Sequence, residues 1–491
     1  MRHLLLCLSL LLSPTLYAAK PNIVFILMDD MGIGDVSVYN AESKIITPHM
    51  DALAEGGILF TDAHSNSSVC TPTRYGVLTG RYCWRTRLAH GVTWGTSRSL
   101  IKKDRITIAS FLKEQGYNTA VVGKWHLGLD FTRENKTILW DKPITLGPTH
   151  LGFDYFFGMP ASLDIPPYIY IENDKILEAP TANYKAKHGQ VMIRGGKCFP
   201  GFDEKNVLPD FTKKAVAFIE QQSKETPFFL YVPYASPHTP VAPNDAFLGK
   251  SEAGIYGDFV IESDWGVGEI VAALKKKEVF DNTLVIVTSD NGSSPAGYPI
   301  QEEIKHKHNT SLGYKGRKSH TYEGGHRVPF IAHWPKGIAK PGKSDAIICT
   351  TDLFATAADM INTEIPAAAA GDSVSFLPAL KGKTEGLRNS VVHHSLDGTF
   401  CLRRDNWKII FGRGQGGFKQ IKEPVSKDWI QLYDLEKDRG ETTNVAADHP
   451  EVVDSLRTAM AEIVADGRST EGAPQTNDRK ISFEKKPRQK K

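Results

Sequence analysis

Unbroken apolar runs of four to six residues recur along the chain, and each is followed closely by charged or imidazole side chains. Ile23-Val24-Phe25-Ile26-Leu27-Met28 stops at Asp29-Asp30. Residues 119–122 run into Gly123-Lys124-Trp125-His126, and 228–232 lead to Ser236-Pro237-His238. Residues 284–287 end at Ser289-Asp290-Asn291-Gly292. Runs without polar alternation predict strands buried on both faces, as in a parallel sheet. Helical patterns lie between them. Thr47-Pro48 is an N-cap and first-turn pair, and Met50, Leu53 and Ala54 share one face before Gly56-Gly57 ends the helix. Residues 107–115 repeat the pattern with Gly116 as the stop. Residues 210–222 and 257–277 read as two more helices.

Alternating strands and helices predict an α/β fold: a large, mainly parallel mixed sheet sandwiched by helices. In open α/β sheets the ligand site lies along the C-terminal edge of the strands. Asp29, Asp30, Lys124, His126, His238, Asp290 and Asn291 are therefore expected to converge, although they span more than half the chain. After residue 365 the texture changes. Residues 366–371 read as a connecting loop, then come strand candidates at 399–402, 407–411 and 431–435. A helix with Val452, Val453, Leu456 and Met460 on one face follows. This predicts a small C-terminal α+β subdomain over 366–478, after a catalytic domain over 20–365. No repeat of solenoid length is present.

Composition narrows the class. A chain of 491 residues with 41% hydrophobic content is no disulfide mini-protein, collagen or disordered chain. The net charge is only +3, and residues 479–491 alone carry seven basic groups and one acidic. A basic, disordered tail on a slightly acidic body is the expectation, and a dedicated nucleic-acid binder is not. Met1-Arg2-His3, the apolar run 4–12 and Tyr17-Ala18-Ala19 read as a secretory signal peptide over 1–19, so an exported protein, periplasmic or secreted, is expected. No later stretch reaches ~18 apolar residues, so no membrane span is expected. Six cysteines are encoded, and Cys7 lies in the leader. The other five match no zinc spacing. If one has a chemical role, Cys83, Cys198, Cys349 and Cys401 allow three pairings.

The fifth is Cys70. Cys70-Thr71-Pro72-Thr73-Arg74 followed by Leu78-Thr79-Gly80-Arg81 resembles the maturation signature of type I, formylglycine-dependent sulfatases. These are arylsulfatase A-like members of the alkaline phosphatase superfamily. The resemblance extends through Asp29-Asp30, Gly123-Lys124-Trp125-His126-Leu127-Gly128, Ser289-Asp290-Asn291-Gly292, Lys318 ahead of Tyr322-Glu323-Gly324-Gly325, and Leu432-Tyr433-Asp434-Leu435. Thr73 stands where Ser or Ala is more familiar. The resemblance implies an alkaline-phosphatase-like fold and oxidation of Cys70 to Cα-formylglycine by a separate maturation enzyme. It also implies one Ca²⁺ held by Asp29, Asp30, Asp290 and Asn291 together with Cys70. Mixed oxygen ligation favours Ca²⁺ over Mg²⁺.

The chemistry accounts for those residue types. A sulfate ester is an anion, so a hard cation is needed to offset its oxygens and polarise sulfur. An aldehyde hydrate offers one hydroxyl to attack sulfur and a second whose deprotonation expels sulfate and restores the aldehyde. By resemblance, Arg74 orients the hydrate, while Lys124 and Lys318 hold sulfate oxygens. Lys318 is preferred over neighbouring Lys315 and Arg317 by its spacing to Tyr322. His126 is the base that lifts the hydrate proton, and His238 is the acid that protonates the leaving alcohol. Ser162 is a candidate sulfate contact. The amides of a helix starting just after Cys70, over 74–78, would favour the anion. Expected substrates are a sulfated sugar or an aryl sulfate. Tyr155, Phe156, Phe157, Tyr168 and Tyr170 could stack on a sugar face or lie in the core. The sequence is also compatible with two alternatives: a phosphate-ester or phosphonate hydrolase with the same fold and metal, and a non-catalytic binder of sulfated glycans. Asn66, Asn135, Asn291 and Asn309 each begin an Asn-x-Ser/Thr triplet.

Overall fold

A computed structural model describes residues 20–385, 387–417 and 429–484. The leader with Cys7, and tail residues 485–491, lie outside the described residues. Strand β1 (Asn22–Asp29) is buried at every position. Ile23, Phe25 and Leu27 enter one core layer, and Val24, Ile26 and Met28 enter the other. That double burial is why the run carries no polar alternation.

The other strands of the sheet are β2 (Ile58–Phe60), β3 (Asn118–Lys124), β4 (Tyr155–Met159), β5 (Ile171–Glu172), β6 (Lys175–Ile176), β7 (Phe228–Pro237), β8 (Thr283–Ser289), β9 (Phe330–His333) and β10 (Gly342–Ser344). Their order is β6-β5-β4-β3-β7-β1-β8-β9-β2-β10. The central five, β4, β3, β7, β1 and β8, run parallel. β9 is antiparallel to both neighbours, β5 is antiparallel to β4, and β6 is antiparallel to β5. The sheet is therefore mixed but mainly parallel, and five C-terminal strand ends share one edge.

Helices α1 (Pro48–Glu55), α2 (Cys70–Thr79), α3 (Ile108–Glu114), α4 (Val207–Gln221) and α5 (Gly254–Lys276) cover the two faces. α2 and α3 pack in one layer, and α1, α4 and α5 in the other. Three starts differ from the sequence expectation. α2 begins at Cys70 rather than 74, α4 at Val207 rather than 210, and α5 at Gly254 rather than 257. Thr47 also does not cap α1, because its hydroxyl bonds Asp51 (3.2 Å). The free amides of His49 and Met50 donate instead to Asp264 of α5 (3.1 and 2.8 Å). A carboxylate distant in sequence thus supplies the cap.

The midsegment aromatics pack in or against the core. Phe156, Phe157 and Tyr168 are buried. Tyr155 stacks on Phe218, and Tyr170 packs on Phe211. Both of these tyrosines are half-buried against the core rather than within it. Cys83, Cys198, Cys349 and Cys401 are separate buried thiols, so none of the three pairings forms.

The C-terminal subdomain is an antiparallel sheet of β11 (Ser390–His394), β12 (Phe400–Arg404), β13 (Trp407–Ile410) and β14 (Gln431–Asp434). Helix α6 (Pro450–Ala465) covers one face, where Val453, Leu456 and Met460 meet Phe400, Leu402, Ile409 and Leu432. Val452 sits half-buried at the rim. Phe483 packs edge-on against Phe411 at 4.9 Å, and Arg457 bonds Glu484 (2.8 Å), so the start of the basic segment lies on this subdomain.

The opposite face carries a small apolar cluster of Cys401, Ile410 and Tyr433 and, beside it, buried charge, because period-two alternation turns Arg403 and Lys408 away from the helix. Arg403 forks onto both oxygens of Asp62 (2.6 and 2.7 Å). Lys408 lies 3.0 Å from Glu323 and 2.8 Å from Glu441. His64, His326 and His393 fill the remaining space, with the last two rings stacked at 3.7 Å. Burial, reinforced by neighbouring charge, holds these two well below the ordinary imidazole range, so they stack as neutral rings. Burial alone would raise Glu323, but Lys408 and the surrounding cations hold it well below its ordinary value. Lys408→Met should therefore destabilise the protein by about 3–5 kcal/mol, because it removes the cation between two buried carboxylates, Glu441 and Glu323, of which only Glu323 keeps a close arginine partner, Arg327 (2.9 Å). Adding Glu323→Gln should recover part of that loss. Urea unfolding midpoints of the single and double variants check both statements.

Candidate active site

The shared strand edge collects the charged residues. Asp29 ends β1 and Lys124 ends β3, while His238 follows β7 and Asp290 and Asn291 follow β8. Cys70 is the first residue of α2, so Arg74 lies one turn on and on the same face. The structure also brings Asp30, His126, Ser162 and Lys318 to this point, and every one of these side chains is buried. Asp30 (φ 68°) and His126 (φ 53°) adopt left-handed backbone conformations, which cost roughly 1–3 kcal/mol each and cluster at functional sites. Two motif glycines permit the close approach. A Cβ on Gly123 would sit 2.1 Å from the Pro233 carbonyl oxygen, and one on Gly292 would sit 1.9 Å from that of Gly324.

Three carboxylates face three cations. Lys124 Nζ donates to Asp29 (2.5 Å) and to Ser162 Oγ (3.1 Å). Arg74 donates to Asp290 through Nη2 (2.7 Å) and Nε (3.2 Å), and lies 3.6 Å from Asp29. Lys318 Nζ lies 2.6 and 2.8 Å from the two oxygens of Asp30. Its neighbours go elsewhere: Lys315 bonds the Glu441 carbonyl, and Arg317 bonds Ser293. Burial opposes the charge on Asp29, but Lys124, His238 and Arg74 hold it well below the usual carboxylate range. Burial and the charge of Asp29 push Asp290 up to about 7. Burial also raises the Cys70 thiol, against the pull of Lys124 and Lys318. A buried, protonated thiol is a poor nucleophile.

The acidic cluster has the character of a hard-cation site. Asp29 Oδ1 and Asn291 Oδ1 are buried and lack hydrogen-bond partners. Asn291 turns its amide nitrogen to Asp30 (2.7 Å), which leaves that oxygen directed elsewhere. Buried acceptors are rarely left unpaired, and three carboxylates with one amide oxygen form the donor set that Ca²⁺ or Mg²⁺ takes. The residues present therefore fit such an ion.

The two histidines differ in how they are held. His126 Nε2 lies 2.8 Å from the Thr93 carbonyl oxygen, which can only accept. Nε2 thus carries the proton, and the buried Nδ1 keeps an unpartnered lone pair. Thr71 and Thr93 hydroxyls both donate to the His126 carbonyl (2.8 Å each). His238 Nδ1 donates to the Thr239 carbonyl (2.6 Å), and its Nε2 points to Asp30 at 3.5 Å. Ser162 Oγ lies 3.4 Å from His238 Nδ1.

A cavity of about 140 Å³ opens over this cluster, bordered by Cys70, His126, Ser162, His238 and Lys318. Trp94, Asp164, Met192 and Arg194 also line it. Those four come from loops without a motif, and Thr93 fixes the His126 ring through a backbone carbonyl, so no sequence signal marked them. Of the four Asn-x-Ser/Thr sites, Asn66 and Asn291 are buried, whereas Asn135 and Asn309 are exposed.

Burial, then Lys124 and Arg74, hold His126 well below the ordinary imidazole value of 6.5. Its ring should therefore stay neutral and protonated at Nε2 at pH 6, where an exposed histidine is largely cationic. Nitrogen NMR of labelled protein, assigned with His126→Gln, checks this; a cationic ring at pH 6 would contradict the assignment.

The profile of the Sulfatase family matches residues 21–363, and that of N-sulphoglucosamine sulphohydrolase, C-terminal, matches 314–466. The chain is 36% identical to an N-acetylgalactosamine-6-O-sulfatase of Bacteroides thetaiotaomicron, over 90% of this chain and 93% of that relative. It is 32% identical to human arylsulfatase A, over 90% and 87% respectively. A solved sulfatase structure, described under metabolism of multiple glycosaminoglycans by Bacteroides thetaiotaomicron, superposes with a TM-score of 0.80 at 35% identity. That match covers 91% of this chain and 99% of the other.

Proposed function

The chain belongs to the sulfatase family and is a sulfuric ester hydrolase, and from that premise we propose that it removes sulfate from sulfated sugars. The carrying observation is a buried cysteine at a helix start, facing two lysines and two unsatisfied oxygens. The sugar assignment draws on the named activity of the N-acetylgalactosamine-6-sulfatase relatives. It also draws on the cavity, whose wall brings Cys70, His126, His238 and Lys318 to one opening beside Trp94. A leader over 1–19 would export the enzyme to such polymers.

Asp29, Asp30, Asp290 and Asn291 would hold one Ca²⁺, with residue 70 beside it. Bound there, the ion would offset sulfate charge and polarise sulfur. Cys70, oxidised to Cα-formylglycine by a maturation enzyme, would supply hydrate hydroxyls where a thiol cannot. Arg74 orients residue 70 along the helix face they share. Lys124 and Lys318 sit on Asp29 and Asp30 and can share their protons with sulfate oxygens. Ser162 adds a hydroxyl beside Lys124. His126 presents a lone pair at Nδ1 and accepts a proton from residue 70. His238 donates from Nε2 to the leaving alcohol, its ring held by Thr239.

Two outcomes test this. Chelated protein should lose activity and regain it with Ca²⁺. Asn291→Leu should weaken Ca²⁺ binding measured by calorimetry, because it removes a buried oxygen donor; unchanged affinity and full activity without metal would sink the ion site. In active preparations, the tryptic peptide ending Val69-Cys70-Thr71-Pro72-Thr73-Arg74 should have lost its sulfur, gained a carbonyl and become reactive to a hydrazide. Activity should scale with that fraction, and Cys70→Ala should be inert. Equal hydrolysis by protein with an unmodified thiol overturns the nucleophile. Faster hydrolysis of an aryl phosphate than of an aryl sulfate overturns the substrate class.

A further inference from the structure

At the cavity rim, Arg194 is held at its base and open at its far edge. Its backbone N–H donates to the Asp164 carbonyl (3.3 Å), and its own carbonyl accepts from Tyr168 OH (2.6 Å). Its Nη1 pairs with the buried Asp164 carboxylate. Nε and Nη2 have no partner among the described residues, and the side chain is 43% exposed. The guanidinium lies over the Trp94 ring, 5.4 Å from its centroid, and Trp94 is itself 54% exposed. Both line the cavity that contains Cys70.

This cation differs from those around Cys70. Arg74, Lys124 and Lys318 are buried against Asp29, Asp30 and Asp290, where sulfate would sit. Arg194 contacts none of those carboxylates. Partly exposed at the cavity rim, it faces what is attached to a sugar whose sulfate lies at Cys70. The free Nε–Nη2 edge is a planar two-donor fork, matched to two oxygens of a carboxylate or sulfate. Its anchoring by Asp164 fixes the fork before ligand arrives and lowers the ordering cost. The adjoining indole offers an apolar plane for the C–H face of a sugar.

We propose that Arg194 and Trp94 form a subsite for an anionic group on the sugar residue next to the sulfated one, and that this enzyme prefers acidic glycans over neutral ones. The inference rests on the sulfatase reading given above. It makes Arg194 a specificity determinant, with Asp164 as its positioning residue.

Four substrates test it: an aryl sulfate, a sulfated disaccharide with a neutral neighbour, one with a uronic acid neighbour, and one whose neighbour carries a second sulfate. Wild type should show a higher kcat/KM on at least one acidic disaccharide than on the neutral one. Arg194→Gln should raise KM on that substrate by about 10- to 100-fold more than on the neutral disaccharide or aryl sulfate, with kcat within about twofold. Arg194→Lys should recover only part, since it keeps the charge and loses the fork. Asp164→Asn should shift KM in the same direction as Arg194→Gln. A preference confined to the uronate identifies a carboxylate, and one confined to the doubly sulfated sugar identifies sulfate. Equal effects of Arg194→Gln on neutral and acidic disaccharides, or wild-type indifference between them, overturn the subsite. No hydrolysis of any of the four by fully matured enzyme overturns the sulfatase reading instead.

Discussion

Asp29, Asp30 and Asp290 lie together where water barely reaches, and that confinement of like charge dominates the architecture. Such a cluster persists only if each carboxylate has a partner. Lys124, Lys318 and Arg74 answer them one for one. The pairing is incomplete by two oxygens, on Asp29 and Asn291. The same field that stabilises the acids therefore leaves room for a dication and directs three cations at any anion beside Cys70.

The parallel sheet makes this meeting possible. Five strands run the same way, so one edge receives β1, β3, β4, β7 and β8. Helix α2 then adds Cys70 and Arg74 on one face. Close backbone contact follows from Gly123 and Gly292, whose positions leave no space for a side chain.

The C-terminal subdomain bears on the site through β11, where His394 O accepts from Ser68 N–H (3.2 Å) and Leu396 beyond it lines the cavity, and through the loop that carries Lys318. Lys318 N–H donates to Ser293 O (3.0 Å) and Ser319 N–H to Ser68 O (2.7 Å), on either side of the buried charged cluster. Five residues on, Glu323 is fixed by Lys408 from β13. The buried ion pairs between the domains thus brace the segment that carries Lys318. This gives the Tyr322-Glu323-Gly324-Gly325 motif a physical role, with Tyr322 OH bonded to Gln431 of β14 (3.1 Å).

Much of this was legible in the chain. The unbroken apolar runs followed by polar residues marked the central strands and the edge where they end, because burial on both faces removes alternation and the edge holds the ligand. Cys70 with Arg74, Asp29-Asp30 and Asp290-Asn291 were readable as types suited to anion and cation chemistry. Tertiary structure decided the rest. Periodicity cannot tell a sugar platform from a core, and Tyr155, Phe157 and Tyr170 proved to be packed. A cap supplied by Asp264 leaves no local trace at Thr47. His126 owes its proton position to the Thr93 carbonyl, and every residue has a carbonyl. Arg194 gained its setting from Asp164 and Trp94, 30 and 100 positions away in sequence. Local pattern records what a residue must avoid or bury; which distant group it meets is set only when the loops close over the sheet.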